Sequence, residues 1–176
     1  QASLDLADAG FKVYLLEESL SIGGTMAQLD KTFPTNDCSM CILSPKLVAT
    51  GRHPNVTILT NAEITGLNGE AGNFEVKLRR KSRYIIEDKC NGCGVCAQKC
   101  PIEAIDSFNE GLGKRGAIYV EYPQAVPLKY IIDREKCIGC GLCVSECPQS
   151  AIALVRKPET DCIVPPKDEA DWQEVR

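Results

Sequence analysis

The chain has 176 residues, 44% of them hydrophobic, so it can bury a core and is not expected to be globally disordered. A net charge of −4 lacks the basic footprint of a nucleic-acid binder, and the sequence contains no apolar run near the roughly 18 residues that span a membrane. The chain shows no signal peptide and begins with Gln1. We therefore expect a fragment of a cytoplasmic protein without direct membrane insertion.

Helix and strand signals alternate along residues 1–60. The pattern predicts, in chain order, a helix at 2–9, a strand at 12–18, a helix at about 38–50 and a strand at 56–59. Gly10 and Gly51 are predicted to end the two helices, and Asn36 or Asp37 to cap the second one. This order is typical of part of an α/β nucleotide-binding domain.

Residues 62–80, AEITGLNGEAGNFEVKLRR, alternate polar and apolar side chains and carry turn signals at Asn68-Gly69 and Gly72-Asn73. They predict a β-hairpin or a β-meander. The basic run KLRRKSR, residues 77–83, is predicted to be a solvated strand face, and attraction of an acidic electron carrier is the second interpretation. His53, the only histidine, precedes a proline and is predicted to be structural.

Composition changes near Ser82, where a cysteine-rich segment with an internal repeat begins. Eleven cysteines, an odd number without a secretory signal, fit a disulfide framework poorly. Strand-like runs, RYIIEDK and YIIDREK, precede the two copies of the repeat. The predicted boundaries are 1–82 for the α/β domain, 83–157 for the repeat domain and 158–176 for a polar tail or linker. Cys162, in the tail, is interpreted as a buried thiol, with a ligand as the alternative.

Both copies of the repeat have the pattern C-x2-C-x2-C-x3-C-P, which in two-cluster ferredoxins gives the fourth cysteine to the other cluster. Three closely spaced thiolates can hold three corners of an iron–sulfur cube, so the fourth corner needs a ligand from the other copy. Zinc, the alternative, is usually bound by two separated pairs of ligands. An α+β two-cluster ferredoxin-like domain is therefore predicted. We assign cluster one to Cys90, Cys93, Cys96 and Cys147, and cluster two to Cys137, Cys140, Cys143 and Cys100.

The linker between the copies, residues 101–136, is longer than a minimal ferredoxin needs and contains Tyr119, Tyr122 and Tyr130. It is predicted to form an extra hairpin packed on the ferredoxin-like domain. A docking surface is the second interpretation.

A third group of cysteines lies in TNDCSMCILSPK, residues 35–46. Cys38 and Cys41 are three residues apart, so a helix would present both on one side, and its N-terminus would favour thiolates. Three interpretations stay open. The pair could supply ligands to a further iron–sulfur cluster completed outside this chain, form a redox dithiol that exchanges electrons with a flavin, or be packed and inert.

The first predicted strand, in KVYLLEE, ends on Glu17, where dinucleotide-binding folds place an acid that hydrogen-bonds a ribose. Gly23-Gly24 follow, and a backbone without side chains can approach a cofactor closely. The phosphate-binding turn of such a fold would precede Gln1, so an FAD site would be incomplete in this chain. A stand-alone ferredoxin-type carrier with a non-catalytic α/β appendage is the rival hypothesis.

The stretch GGTMAQLDKTFPTNDCSMCILSPKL, followed by GRHPNV and the cysteine repeat, resembles the heterodisulfide reductase A-type family and the related A-type flavoproteins of sulfate reducers. The resemblance spans about residues 2–157. It implies a thioredoxin-reductase-like FAD domain, here partial, that carries an inserted ferredoxin domain with two [4Fe-4S] clusters. It also implies that Glu17 contacts the FAD ribose and that Gly23, Gly24 and Thr25 form the flavin-side loop.

The same resemblance implies an oxidoreductase subunit that relays electrons between FAD and [4Fe-4S] clusters, as in methanogenesis, and that is inactive as an isolated fragment. The implied partners are other heterodisulfide-reductase-type subunits and a hydrogenase or another electron donor. In the sulfate-reducer homologue the electrons pass to a membrane partner. Strands near 12–16 and 56–59 should then lie side by side in a parallel sheet, with the central first strand missing from the chain.

Overall fold

The computed structural model describes residues 1–156 and 163–164. The chain separates into two compact units. Unit one contains Gln1–Lys81 and Tyr122–Pro127, and unit two contains Ser82–Glu121 and the chain from Leu128. Cys162 and most of the tail predicted at 158–176 lie outside the described residues. Within the described ranges, none of the helices has the length and apolar character that a membrane span requires.

Unit one is built around a parallel pair of strands, as predicted. Strand β1 (Val13–Glu17) pairs in parallel with β2 (Val56–Thr60), and Val13 lies opposite Val56. Helix α1 (Ala2–Asp8) precedes β1, and Gly10, at a φ of 92°, follows its end, where its N–H bonds to Ala7 O. The carboxyl ends of β1 and β2 therefore meet at one edge, which is where α/β sheets bind their ligands.

Helix α2 (Ser39–Arg52) lies close to its predicted position, but both predicted ends are wrong. Its N-cap is Cys38 rather than Asn36 or Asp37, because the Cys38 sulfur accepts the Cys41 N–H at 3.2 Å as a capping oxygen would. Gly51 lies inside the helix and does not end it. A Cβ at Gly51 would meet Val126 Cγ1 at 2.9 Å, so packing explains this glycine.

His53 caps the end of α2 and has the structural role predicted for it. Its Nδ1 accepts the Asn55 N–H at 3.1 Å, and its Nε2 lies 3.2 Å from Asp8 Oδ1. The histidine therefore connects the loop before β2 to α1.

Residues 62–80 form one antiparallel hairpin of strands β3 (Ala62–Glu70) and β4 (Asn73–Arg80). The turn predicted at Asn68-Gly69 is wrong, because these residues pair within β3 with Glu75 and Phe74. A β-bulge between Ile64 and Gly66 accommodates one extra residue in β3. Every residue of β4 is exposed, which agrees with a solvated basic strand, but Arg83 at the end of the basic run is only 2% exposed.

Unit two has two short helices, each beginning at a glycine with left-handed backbone. Helix α3 (Val95–Gln98) follows Gly94 at a φ of 84°, and α4 (Leu142–Ser145) follows Gly141 at a φ of 80°. Two-residue strands form its small antiparallel ladders: β5 (Ala104–Ile105) with β6 (Lys114–Arg115), β7 (Ile118–Tyr119) with β8 (Ile131–Ile132), and β9 (Val155–Arg156) with β10 (Ile163–Val164).

The strand-like runs before the two motifs contain fewer strand residues than predicted. RYIIEDK, residues 83–89, contains no strand, and YIIDREK contributes only β8. One isoleucine of each run, Ile85 or Ile132, is buried all the same, and Ile86 and Ile131 are half-buried. The five residues of the unit-two core are Ile85, Cys96, Ile118, Ile132 and Ile152. The apolar runs therefore reflect core packing rather than strand pairing.

The linker between the motifs is divided between the two units. Its part up to Glu121 supplies β6 and β7 to unit two. Residues Tyr122–Pro127 belong instead to unit one, where Ile22 N–H bonds to Val126 O at 2.9 Å and the Tyr122 hydroxyl donates to Ile22 O. The expectation of a hairpin packed wholly on the ferredoxin-like domain is wrong for these residues.

Candidate functional site

Four cysteines from both copies of the repeat line one cavity of unit two. Cavity one is bounded by Cys90, Cys93, Cys96 and Cys147. The first three belong to the first motif, and Cys147 is the last cysteine of the second motif. Two hydrogen bonds hold the first motif in shape. Cys90 N–H donates to the backbone oxygen of Ile86 at 3.1 Å, and Cys93 N–H donates to the side-chain Oδ1 of Asn91 at 3.2 Å.

The other four cysteines of the repeat line a second cavity in the reciprocal arrangement. Cavity two is bounded by Cys137, Cys140, Cys143 and Cys100. Here Cys100 comes from the first motif. Cys137 N–H donates to Asp133 O at 2.8 Å, which repeats the bond between Cys90 and Ile86. Each cavity therefore receives three sulfurs from one motif and one from the other.

Four of the repeat cysteines line each cavity. Among the described residues, no three His, Cys, Asp or Glu side chains are close enough to hold a single metal ion. A structural zinc site would need four sulfurs at about 2.3 Å from one ion. The arrangement fits a polynuclear iron–sulfur cluster, whose cysteines bind separate corners.

Burial makes charged thiolates unfavourable in both cavities. It raises the pKa of Cys96 to about 12, and neighbouring Cys90 adds to the rise. It likewise raises the pKa of Cys143 to about 11, with Cys137 the next cause. Four thiolates in such a place need cationic compensation, which iron would supply.

Cys38 and Cys41 lie in unit one, at the N-terminus of α2, and their sulfurs are bonded as a disulfide with a Cα–Cα distance of 5.2 Å. The preceding loop is closed by backbone bonds from Thr32 N–H to Asp37 O at 2.9 Å and from Ser39 N–H to Asp30 O at 3.1 Å. Both cysteines are exposed in this chain, which favours the two redox interpretations over packed thiols.

The residues proposed for a flavin site lie around the carboxyl edge of the parallel strands. Glu17 ends β1, and its Oε1 accepts the N–H and the hydroxyl of Ser19, both at 2.9 Å. Gly24 begins a 3-10 helix, Gly24–Gln28, in which Thr25 is exposed. A Cβ at Gly23 would meet Tyr122 Oη at 2.8 Å, and its φ of 134° also favours glycine, so packing and backbone together explain Gly23, whereas Gly24 borders open space.

Sequence reasoning missed several residues beside the cysteines. Tyr130, named only as part of the linker, lines cavity one together with Asn91. Lys129 Nζ donates to the carbonyl oxygens of Glu87 at 2.7 Å and Cys90 at 2.5 Å. Gly116 lies against Cys100. Comparison of the two copies position by position would have exposed Asn91, but the contacts of Gly116 and Lys129 are not encoded in any local pattern.

Comparison with known proteins agrees with this geometry. Residues 89–152 match the family described as "4Fe-4S dicluster domain". The chain is 59% identical, over 133 residues, to the first of the A-type iron-sulfur subunits of CoB--CoM heterodisulfide reductase in Methanopyrus kandleri, covering 76% of this chain and 20% of that protein. It is related to heterodisulfide reductase A subunits. The resemblance noted in the sequence is thereby confirmed.

Two further relatives extend the match. The chain is 58% identical over 159 residues to the A-type subunit of the H(2)/formate:CoB-CoM heterodisulfide,ferredoxin reductase of Methanococcus maripaludis, covering 90% of this chain and 24% of that protein. It is 57% identical over 134 residues to a heterodisulfide reductase A-like protein of Archaeoglobus profundus, covering 75% of this chain and 19% of that protein. The chain thus spans only about a fifth to a quarter of the length of these relatives.

The contact between Gly116 and Cys100 gives a test of cavity two. A Cβ at Gly116 would lie 3.0 Å from Cys100 Cβ and 3.3 Å from its Sγ, so Gly116→Ala should displace that sulfur. We expect the variant to lose up to one cluster's worth of iron, roughly four ions per chain, measured after cluster reconstitution. Gly113→Ala is the matched control, since its nearest neighbour, Asn109 Nδ2, is at 3.4 Å. Equal iron in both variants would show that Cys100 does not hold the cluster.

Proposed function

We propose that the chain is the electron-transfer section of a flavin and iron–sulfur oxidoreductase of the heterodisulfide reductase A type. Its eight repeat cysteines hold two [4Fe-4S] clusters, cluster one in cavity one and cluster two in cavity two. The observation that carries the proposal is the reciprocal exchange of Cys147 and Cys100 between the cavities. Bound clusters supply one-electron redox chemistry, which is the reaction of this section.

The protein contributes position and exclusion of water. Cysteines of both cavities pack against the same core, so one small apolar body holds both ligand sets. The left-handed glycines at Gly94 and Gly141 turn the chain after the second cysteine of each motif, and the third then lies on a short helix. The fold of each motif therefore directs its cysteines toward the two cavities.

The cluster proposal predicts roughly eight iron and eight acid-labile sulfide ions per chain. Cys147→Ser should lower the iron content and change the signal of cluster one, while the three cysteines of its own motif keep cluster two together with Cys100. Iron and sulfide assays with electron paramagnetic resonance measure both effects. Two zinc ions and no sulfide per chain would refute the assignment.

We infer further that residues 1–82 are part of an FAD-binding domain of the thioredoxin-reductase type. The supporting observations are the parallel pair β1–β2 and the position of Glu17 at its carboxyl edge, with the Gly24 loop following. The bonds from Ser19 hold the Glu17 carboxylate at that edge. A stand-alone carrier with a cofactor-free appendage is the alternative. A G-x-G-x-x-G turn upstream of Gln1 in the natural protein would favour FAD.

Glu17→Ala, made in the longer natural chain, should weaken FAD binding, because one carboxylate bond to a ribose hydroxyl is lost; about tenfold is expected for a charged hydrogen bond. Equilibrium dialysis or flavin fluorescence measures the affinity. Glu18→Ala, at the adjacent exposed position, is the control with the same charge change and should bind FAD normally. Wild-type affinity in the Glu17 variant would remove this residue from the site.

We also propose that Cys38 and Cys41 are redox-functional. Their exposure and their place at a helix N-terminus support either of the two redox interpretations, a dithiol or ligands of a further cluster. As a dithiol, the pair would accept two electrons and two protons while the S–S bond breaks, with the reduced flavin as donor. As ligands, both thiolates would bind iron together with cysteines outside this chain.

The double variant Cys38→Ser and Cys41→Ser, in the full-length protein, should impair electron transfer through the flavin and leave the repeat clusters intact. Turnover, iron content and flavin spectrum are measured together. Loss of turnover with unchanged iron selects the dithiol, and a loss of about one cluster's worth of iron selects the ligands. Normal values for all three would make the pair structural and the proposal wrong.

The remaining parts of the proposal concern the whole protein. Other heterodisulfide-reductase-type subunits and a hydrogenase or another donor would be its partners, and methanogenesis its setting, as the names of the relatives suggest. An A-type flavoprotein with a membrane partner is the second candidate, favoured by the match to an A-like protein. We also propose a cytoplasmic location, because a reducing compartment keeps cysteines available as cluster ligands instead of oxidising them to disulfides.

A further inference from the structure

The two cavities have the same ligands but different walls. The second motif lies 47 residues after the first, as from Cys90 to Cys137. At this offset Asn91 corresponds to Ile138, and Gln149 corresponds to Ile102. Asn91 and Gln149 line cavity one, whereas the two isoleucines line cavity two.

Tyr130 adds a third polar side chain to cavity one. Its hydroxyl lies beside the first motif, because a Cβ at Gly94 would be 3.1 Å from Tyr130 Oη. Apart from its cysteines, the described lining of cavity two has only apolar side chains and glycines. Its large aliphatic side chains are Ile102, Ile118, Ile132, Ile138, Leu142 and Leu154.

A lysine adds a positive charge on the side of cavity one. Lys129 Nζ donates to the carbonyl of Cys90, a predicted ligand, and to that of Glu87. Within the described part of the chain, no carboxylate lies within ion-pair distance of this ammonium group. The corresponding carbonyl of Cys137 receives no side-chain hydrogen bond from any described residue.

A cation on the side of cavity two is neutralised by a carboxylate. Arg115 precedes Gly116, which touches Cys100, but its Nη2 lies 2.8 Å from Asp133 Oδ2 in a half-buried ion pair. A paired arginine exerts a smaller field than an unpaired lysine, because the carboxylate cancels most of its charge. The charge difference between the cavities therefore has the same direction as the difference in polarity.

Reduction adds one negative charge to a cluster whose thiolates already make it anionic. A nearby cation and polar groups stabilise the added charge, and an aliphatic wall disfavours it. These are recognised determinants of iron–sulfur potentials. The walls of the two cavities should therefore separate the potentials of their clusters.

We propose that cluster one has the higher reduction potential, and that Lys129 and Tyr130 are positioning residues that raise it. An electron on the protein then moves from cluster two, which is oxidised, to cluster one, which is reduced, so it resides mainly at cavity one. The proposal rests on the proposed function, since it requires both clusters. The difference in potential gives electron transfer within the duplicated domain a direction, which the identical ligand spacing alone does not provide.

The test is a redox titration of the cluster-loaded chain followed by electron paramagnetic resonance. Wild type should show two one-electron waves. Lys129→Met should lower only the upper wave, with at least a tenfold drop in the ratio of reduced to oxidised cluster at a fixed potential, equivalent to about 59 mV. Lys89→Met, which removes an exposed charge next to Cys90, is the control and should shift it much less.

Two more variants assign the waves. Tyr130→Phe removes only a hydroxyl and should lower the upper wave, and Ile138→Asn should raise the lower wave. Iron content is measured for each variant, and Lys129→Arg, which keeps the charge, should behave as wild type. If Lys129→Met loads poorly, Tyr130→Phe decides the question.

Three results would overturn the proposal: a single wave in wild type, equal shifts in Lys129→Met and Lys89→Met, or a Tyr130→Phe variant with an unchanged upper wave. Failure of the proposed function gives a different result. In that case the wild-type chain takes up no iron and sulfide, and no wave is seen at all.

Discussion

The last cysteine of each repeat motif lines the cavity of the other motif. Unit two depends on this exchange of ligands. Among the described residues, the hydrophobic cluster at the centre of this unit consists of five buried side chains, one of them a cysteine. Small domains with so little core usually need disulfides or metal to be stable. Two clusters, each bound by both motifs, would cross-link the chain twice. Cluster binding and folding of this unit are therefore expected to be coupled.

The repeat shows how a duplicated site becomes two different sites. The ligand spacing is the same in both copies, because three thiolates on one loop must reach three corners of the same object. The side chains that surround the ligands are not under that constraint. Asn91 and Ile138 occupy equivalent positions, yet cavity one is lined by an asparagine where cavity two is lined by an isoleucine. Changes of this kind alter the energy of the added electron without disturbing the ligands.

Sequence reasoning succeeded where the determining pattern is local and failed where it is not. The cysteine motifs and the parallel pair β1–β2 follow from spacing and hydrophobic runs. The cap of α2 was wrong because a sulfur, Cys38, replaces the expected oxygen. Two further features depend on contacts between residues far apart in sequence, which local patterns do not reveal. Gly51 is a glycine because it packs against Val126, and Tyr122–Pro127 belong to unit one although the linker around them belongs to unit two.

Diffraction at the iron absorption edge tests the exchange of ligands most directly. Anomalous scattering from crystals of the cluster-loaded chain locates the iron atoms without reference to the protein. We expect two groups of four iron atoms, with Cys147 bound to the group that holds Cys90, Cys93 and Cys96, and Cys100 bound to the other group. Cys100 bound to the same group as Cys90, or isolated ions in place of the groups, would contradict the exchange.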